Sequence, residues 1–329
     1  MAVLNAHAYR VPWWLTNGHL QTVWAPFFRP RIQVQRTAER LDTPDGDFVM
    51  IHTAEGKRDM PAVIMLHGLE GSANSKYILG MTEKLAALGW TSITLEYRGC
   101  SDEMNLAPRM YHSGETTDLA MLATRIAPRY ERVYLAGFSL GGNVITKWLG
   151  ESPDEVPENV IAAAAVCAPF DLTVAGPHID RLLGGLYARH FLRTLQRKAI
   201  AKERQFPGCI DVERVRAART LRDFDNDATA VMHGFDGVDH YYGTQRCGRY
   251  LDGIRVPILL LSSADDPFNP SITLPREEAD ASDYLHPQFT DRGGHVGFVY
   301  GSPFAQRYWA EEQIVRFFAC YNEMAGKSQ

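Results

Sequence analysis

The sequence predicts an α/β protein with a mostly parallel central sheet flanked by helices. Short apolar runs alternate along the chain with longer segments of helical periodicity, which is the pattern of strand–helix–strand units. The apolar runs are near-continuous instead of alternating in polarity, as is typical of parallel strands covered by helices on both faces. We therefore expect a doubly wound sheet.

Five apolar runs have the length of buried strands, and segments with helical periodicity follow several of them. The predicted strands are Pro61–His67, Thr91–Tyr97, Arg132–Phe138, Val160–Ala168 and Val256–Ser263. The predicted helices between them are Ser75–Trp90, which stops at Gly89, a helix from about Gly114 to Pro128 capped by Ser113, and a helix that starts directly after Phe138 and runs to about Gly150. A further helix is expected at the end of the chain.

Two segments depart from this alternation. From about Phe170 to Tyr250 the chain shows no convincing strand and carries two amphipathic helical stretches, so residues 170–250 are predicted to be a helical insertion between two strands. Residues 1–30 are rich in Trp, Pro and Phe, and are predicted to be an N-terminal arm that packs on the body of the protein. Residues 1–329 are accordingly expected to form a single domain.

The composition excludes a disordered chain, a collagen-like chain and a coiled coil. The chain has 329 residues, of which 45% are hydrophobic and 22% charged, which is ordinary globular usage. The net charge of −5 lacks the basic character of a nucleic-acid binder, so no nucleic-acid partner is expected. The five cysteines include no CxxC pair, which favours reduced thiols over disulfides or a zinc site.

The sequence also predicts a soluble, cytoplasmic protein. We find no basic segment followed by an apolar segment at the N-terminus, as a signal peptide would have. The longest apolar run, Val160–Phe170, is far shorter than the ~20 residues that span a bilayer.

A candidate nucleophile lies between the third predicted strand and the helix that follows it. Gly137-Phe138-Ser139-Leu140-Gly141 is a G-x-S-x-G motif in a strand-to-helix context. Such a turn needs glycines beside the serine, where a Cβ atom would clash, and it places the hydroxyl next to a helix N-terminus. The alternative is a glycine-rich helix entry with a plain capping serine, and the motif alone does not exclude it.

A serine hydroxyl is a weak nucleophile, so it needs a base and an acid that orients the base. His295 is the best candidate base, because it lies in a glycine-flanked loop late in the chain. Asp265 and Asp266 both follow the predicted strand Val256–Ser263, where a site above a parallel sheet draws its groups. We favour Asp266, since it precedes a proline, and keep Asp265 as the alternative.

A tetrahedral intermediate requires two preorganised N–H donors for its oxyanion. One is expected from Leu140, the residue after the nucleophile, and the other from Leu69 in the loop after the first predicted strand. Both donors would be backbone groups. His67 is expected to support this loop without transferring a proton.

Taken together, these motifs resemble the α/β-hydrolase superfamily. The segments that carry the resemblance are HGLEG (67–71), GFSLGGN (137–143), SADDPFNP (263–270) and RGGHVGF (292–298). The match is closest to the YheT-like branch, through NGHLQT (17–22), YRGCS (97–101), YHSGETTD (111–118) and the region 223–242. The resemblance spans about residues 10–320. Asp102 departs from it, because a glycine often follows the YRGCS segment in this branch.

The resemblance implies an α/β-hydrolase fold with a helical cap insertion, cytosolic in bacteria, and a serine carboxylic-ester hydrolase activity. The catalytic residues would be Ser139, His295 and Asp266. The branch includes the ABHD group of lipid hydrolases and yeast ethanol acyltransferases, so the expected substrate is an acyl ester, medium-chain or lipid-derived. Two alternatives stay open: an acyltransferase that passes the acyl group to an alcohol, and a non-catalytic binding protein that keeps the fold.

A run of aspartates is considered as a calcium site. Asp223, Asp225 and Asp227 form a D-x-D-x-D run, but an EF-hand calcium loop would need Gly and Glu where Ala228 and Gly234 stand. Neither a metal nor a cofactor is expected.

The stretch 181–204 holds seven Lys/Arg and one acidic residue. It is read as a solvated face of the insertion, with weak contact to a membrane surface as the alternative.

Overall fold

The computed structural model describes residues 8–327, and within that range eight strands form one sheet. The strands are Thr37–Asp42 (β1), Phe48–Ala54 (β2), Ala62–Leu66 (β3), Thr91–Glu96 (β4), Val133–Phe138 (β5), Val160–Val166 (β6), Ile258–Ser263 (β7) and Leu285–Thr290 (β8). Their order across the sheet is β1-β2-β4-β3-β5-β6-β7-β8. β1 pairs antiparallel with β2 and β2 with β4, whereas the other pairs are parallel. A mostly parallel sheet is confirmed.

The helices flank this sheet and build an insert beside it. They are Gly18–Phe28 (α1), Lys76–Leu88 (α2), Thr117–Ile126 (α3), Leu140–Glu151 (α4), Leu172–Arg181 (α5), Leu186–Gln205 (α6), Val212–Ala217 (α7), Leu221–Phe224 (α8), Ala230–His233 (α9), Val238–Gln245 (α10), Arg276–Asp280 (α11) and Trp309–Lys327 (α12). A short hairpin of Val299–Ser302 (β9) and Ala305–Tyr308 (β10) precedes α12.

Helices cover both faces of the sheet. α2 and α12 contribute Ile78 and Phe317 to an apolar cluster with Met65 of β3. α3 and α4 pack in a second cluster with the neighbouring residue of β3, Leu66. Successive side chains of a strand point to opposite faces, so an apolar residue is required at every position of β3. This is why the buried strands read as unbroken apolar runs.

The five predicted strands correspond to β3–β7, but β1, β2, β8 and the hairpin were not predicted. β1 has only Leu41 buried, as expected of an edge strand that has one neighbour. β8 is also an edge strand, in which only Leu285 is buried, and it contains Pro287. The helix predicted from Gly114 begins instead at Thr117, with Thr116 and not Ser113 at its N-cap, because the Glu115 amide closes a turn onto the His112 carbonyl.

Helices α5–α10 lie between β6 and β7 and form a helical insert with its own apolar core, in which Leu192, Leu195 and Phe224 are buried. A five-residue π-helical turn, Asp225–Thr229, joins α8 to α9. At the N-terminus, α1 packs against the β9–β10 hairpin, and Tyr9 Oη donates to the Val299 carbonyl. Residues 1–7 of the predicted arm, and residues 328 and 329 of the predicted domain, lie outside the described residues.

Candidate active site

Ser139 occupies a sharp turn between β5 and α4. Its φ of 54° and ψ of −119° are unusual for a residue with a side chain. The turn brings backbones into contact: a Cβ at Gly137 would lie 2.3 Å from the Gly141 carbonyl oxygen, and one at Gly141 would lie 2.5 Å from the Leu66 carbonyl oxygen. Both glycines of the motif are therefore required sterically, and the plain helix entry with a capping serine is not what forms, since the Ser139 side chain makes no cap hydrogen bond.

The structure brings Ser139, His295 and Asp266 together in one hydrogen-bonded chain. Ser139 Oγ is 2.8 Å from His295 Nε2, and His295 Nδ1 is 2.8 Å from Asp266 Oδ2. A carboxylate only accepts hydrogen bonds, so Nδ1 carries the proton toward Asp266. The Nε2 lone pair then faces the serine hydroxyl, which is the arrangement that proton abstraction from Ser139 requires.

Asp266 and its neighbour Asp265 have different partners. Besides His295, the buried Asp266 carboxylate accepts the backbone N–H of Phe268 (2.7 Å) and the side-chain amide of Asn269 (3.2 Å). Asp265 instead accepts the backbone N–H of Gly294 at 2.9 Å. Asp266 is thus the carboxylate that contacts the imidazole, and Asp265 holds the loop that leads into it.

The His295 loop is held by residues whose role the sequence analysis did not identify. The His295 amide donates to Thr22 Oγ1 (2.9 Å), and the Val296 amide donates to Cys167 Sγ (3.3 Å). The ring of Phe268 lies 4.5 Å from that of His295, centre to centre. Thr22 and Phe268 fall inside segments that carry the family resemblance, which was the available signal, whereas Cys167 lies outside those segments.

The two predicted oxyanion donors both belong to segments that adjoin the serine. Leu140 is the first residue of α4, so its amide has no acceptor within the helix. Leu69 follows Gly68, whose backbone is so close to Ser139 that a Cβ there would lie 3.1 Å from the serine Cβ. His67 is fully buried, bonds the Gly68 carbonyl through Nδ1, and has its pKa lowered to about 4 by that burial. It is therefore neutral near pH 7 and supports this loop.

A cavity of about 840 Å³ opens from this site into the insert. Its volume lies within the range of pockets for drug-sized ligands. Apolar residues of the insert dominate one part of its wall, among them Leu172, Ile179, Leu195 and Phe224. Phe27 of α1 and Leu186 of α6 also line it and are 75% and 55% exposed, so the cavity reaches solvent between these two helices.

Polar groups are buried in the wall of the same cavity. Asp225, in the π-helical turn, accepts the hydroxyls of Tyr242 and Thr229, each at 2.7 Å. Burial raises the pKa of Asp225 to about 6. Asp223 closes a capping box with Thr220, and Asp227 pairs with Arg214. Each aspartate of the D-x-D-x-D run therefore has partners from the insert itself.

Among residues 8–327, two groups place potential metal-ligand atoms within 4.8 Å of one another. One is Asp266 and His295 with Cys167. The other is His112, Glu115 and His233, but Glu115 is already bound by the Arg109 guanidinium at 2.6 Å. His112 Nδ1 accepts the Gly114 amide, so its proton lies on Nε2, the nitrogen that faces Glu115. These bonds oppose metal binding there, and we assign no metal role to either group.

The basic stretch 181–204 runs from the last residue of α5 through the turn before α6 and along α6. Leu192 and Leu195 are buried in the insert, whereas Leu183 and Leu186 are 58% and 55% exposed. Leu183 also has a φ of 48°, a conformation that is costly for a leucine. Folding of the insert therefore does not explain why an exposed leucine stands there. Within the described part of the chain, no helix combines the length and the apolar character that crossing a bilayer requires.

Comparison with known proteins agrees with this geometry. The family model for the alpha/beta hydrolase fold matches residues 61–302. The chain is 34% identical over 318 residues to the candidate esterase YheT of Escherichia coli (strain K12), an alignment that covers 94% of this chain and 92% of YheT. It is 30% identical to phospholipase ABHD3 of Mus musculus, covering 91% of this chain and 75% of ABHD3. Among solved structures, the Pyrococcus furiosus esterase Pf2001 superposes with a TM-score of 0.57 at 15% identity, covering 87% of this chain and 92% of that chain.

Proposed function

Because this chain belongs to the α/β-hydrolase family, we propose that it is a serine carboxylic-ester hydrolase that works through an acyl-enzyme. The observation that carries the proposal is the hydrogen-bonded chain from Ser139 through His295 to Asp266. Its esterase-like and lipase-like relatives support the same reaction class.

In the acylation step, Ser139 Oγ attacks the ester carbonyl carbon while His295 Nε2 takes the hydroxyl proton. Asp266 accepts the Nδ1 proton in a hydrogen bond, orients the ring and stabilises the imidazolium that forms. The carbonyl oxygen becomes an oxyanion, for which the amides of Leu69 and Leu140 are the proposed donors. Collapse of the intermediate breaks the bond to the alcohol, which leaves with the proton from His295.

In the deacylation step, water takes the place of the alcohol. His295 Nε2 removes a proton from the water as its oxygen attacks the acyl carbon. The second tetrahedral intermediate releases Ser139, which recovers its proton from His295, and the free acid departs. An alcohol in place of water would give a new ester by the same steps, which is the acyltransferase alternative.

The cavity supports an acyl chain as the main recognition element. Apolar side chains of the insert line it close to Ser139, so an acyl group would replace water with apolar contacts there. We propose that residues 170–250 act as a cap that encloses the acyl chain, and that the substrate is a medium-chain or lipid-derived ester. Phospholipase ABHD3 and a monoacylglycerol lipase of Saccharomyces cerevisiae, 28% identical over 273 residues, are relatives whose names fit such a substrate.

We also propose that the exposed turn before α6 makes weak contact with a membrane surface. Leu183 and Leu186 are exposed, and Leu186 also lines the cavity. Arg189 and Arg193, on the same helix as Leu186, are exposed as well. Exposed apolar side chains flanked by cations favour anionic lipid. The apolar contribution comes from these two leucines and not from Leu192 and Leu195.

The test is a panel of p-nitrophenyl esters from C2 to C12 and a phospholipid, assayed with the wild type, Ser139→Ala and the exposed control Ser271→Ala. Loss of the nucleophile should lower kcat by at least about 10³-fold, and only Ser139→Ala should lose labelling by a fluorophosphonate. A product assay with added ethanol separates hydrolysis from acyl transfer. Equal rates for wild type and Ser139→Ala would contradict the proposed mechanism, and a preference for acetate would contradict the acyl-chain assignment.

A further inference from the structure

The loop that carries Leu69 is fastened by hydrogen bonds on both sides of that residue. The Gly68 amide donates to Tyr77 Oη at 2.9 Å, and the Glu70 amide donates to Tyr111 Oη at 2.8 Å. Glu70 has a φ of 53°, in the left-handed region that disfavours residues with a side chain. The Leu69 amide therefore lies between two anchored amides, which restrain the backbone on both sides of it.

The Glu70 side chain forms a second hydrogen bond with the tyrosine that holds the Glu70 amide. Tyr111 Oη, which accepts the Glu70 amide, also donates to Glu70 Oε1 at 2.8 Å. Burial raises the pKa of Tyr111 well above its ordinary value, so the phenol keeps the proton it donates. The Glu70 side chain is only 7% exposed, and a buried carboxylate of this kind needs a cation close by.

That cation comes from the insert. Lys198 Nζ, on α6, lies 2.8 Å from Glu70 Oε1, although the two residues are 128 positions apart. The side chain of Leu69 packs against the apolar core of the insert as well as against the core of the sheet. The insert thus reaches the loop by two routes, a charged contact with Glu70 and an apolar contact with Leu69.

We propose that Lys198 is a positioning residue that, through Glu70 and Tyr111, holds the Leu69 amide in the direction an oxyanion needs. The proposal rests on the proposed ester hydrolysis and on Leu69 as a donor. It makes the observed contact between α6 and the Leu69 loop a condition for a complete oxyanion hole. Lys198 is not among the residues that line the cavity, so it would act only through Glu70.

The variant Lys198→Met removes the charge and keeps a flexible apolar side chain, Lys198→Arg keeps the charge, and Arg197→Met removes a charge from the adjacent exposed position. Loss of one oxyanion donor lowers kcat by about 10²–10³-fold. A misdirected donor should cost less, about 10–30-fold in kcat, with KM within about twofold. An alkylboronic acid, whose adduct with the serine places an oxygen in the oxyanion hole, should lose affinity by the same factor. The affinity of the matching non-reactive alkyl ether should not change.

Lys198→Arg should recover most of the activity, and Arg197→Met should behave as wild type. Should Lys198→Met fail to fold, Tyr111→Phe removes the anchoring hydroxyl and should show the same selective loss. A loss confined to KM, a loss shared by Arg197→Met, or unchanged kcat and boronate affinity in a folded Lys198→Met would overturn the proposal. An inactive wild type that fluorophosphonate does not label would instead refute the proposed function.

Discussion

The buried carboxyl of Asp225 in the cavity wall should make the free energy of unfolding depend on pH. It lies in the cavity wall and bonds Tyr242 and Thr229, and burial raises its pKa from 3.8 to about 6. Such a shift means that the folded protein prefers the protonated carboxyl by up to about 3 kcal/mol. Between those two pKa values the folded state keeps a proton that the unfolded chain has released. The free energy of unfolding therefore falls as the pH rises, and the contribution of Asp225 is lost as the pH passes 6.

Asp225→Asn removes this titration. About 2 kcal/mol of the effect falls between pH 4.5 and 7.5, so the difference in stability between variant and wild type should move in favour of the variant by that amount. Urea denaturation at the two pH values measures it, with the exposed Asp154→Asn as the control. A difference that stays constant within about 0.5 kcal/mol, or that moves against the variant, would refute the argument. Water in the cavity would make the change smaller without reversing its sign.

Two further predictions concern the site and its surroundings. Asp266→Asn should lower kcat in a steady-state ester assay by about 10⁴-fold, because the imidazole loses the carboxylate that fixes its tautomer. Asp265→Asn should lower kcat by no more than about tenfold. Equal losses of kcat in the two variants would contradict the assignment of Asp266 as the orienting acid. Leu183→Asp should weaken flotation with phosphatidylglycerol vesicles about tenfold and leave the hydrolysis of a soluble ester unchanged, since aspartate tolerates the left-handed backbone at this position. The exposed Val231→Asp serves as the control, and an equal loss of vesicle binding there would argue against a specific contact.

The parts of the fold that could be predicted are those that produce a recognisable local sequence pattern. β3–β7 are buried on both faces, so each one appears as an unbroken apolar run. The turn at Ser139 could be predicted because its steric demand for Gly137 and Gly141 appears as a motif. β1 and β8 were not predicted, because an edge strand needs fewer apolar residues. An edge strand also tolerates a proline, such as Pro287 in β8.

The contacts that position the site could not be predicted, because they join distant parts of the chain. Thr22 reaches His295 across 273 positions and Lys198 reaches Glu70 across 128, and no local pattern encodes either distance. The choice between Asp265 and Asp266 rested on a neighbouring proline. The structure distinguishes them through their partners, since Asp265 accepts the Gly294 amide and Asp266 accepts the His295 imidazole.

The contact between Thr22 and His295 has a consequence for how the protein is made. Ribosomes add about 5–20 residues per second, so roughly 15–55 s separate the synthesis of Thr22 from that of His295. The hairpin and α12, which follow His295, emerge later still. His295 is made 156 positions after Ser139, so a nascent chain carries the serine throughout that interval without the histidine that would activate it. Under the proposed mechanism, Ser139 can be activated only after His295 has been made and α1 and the hairpin can meet around its loop.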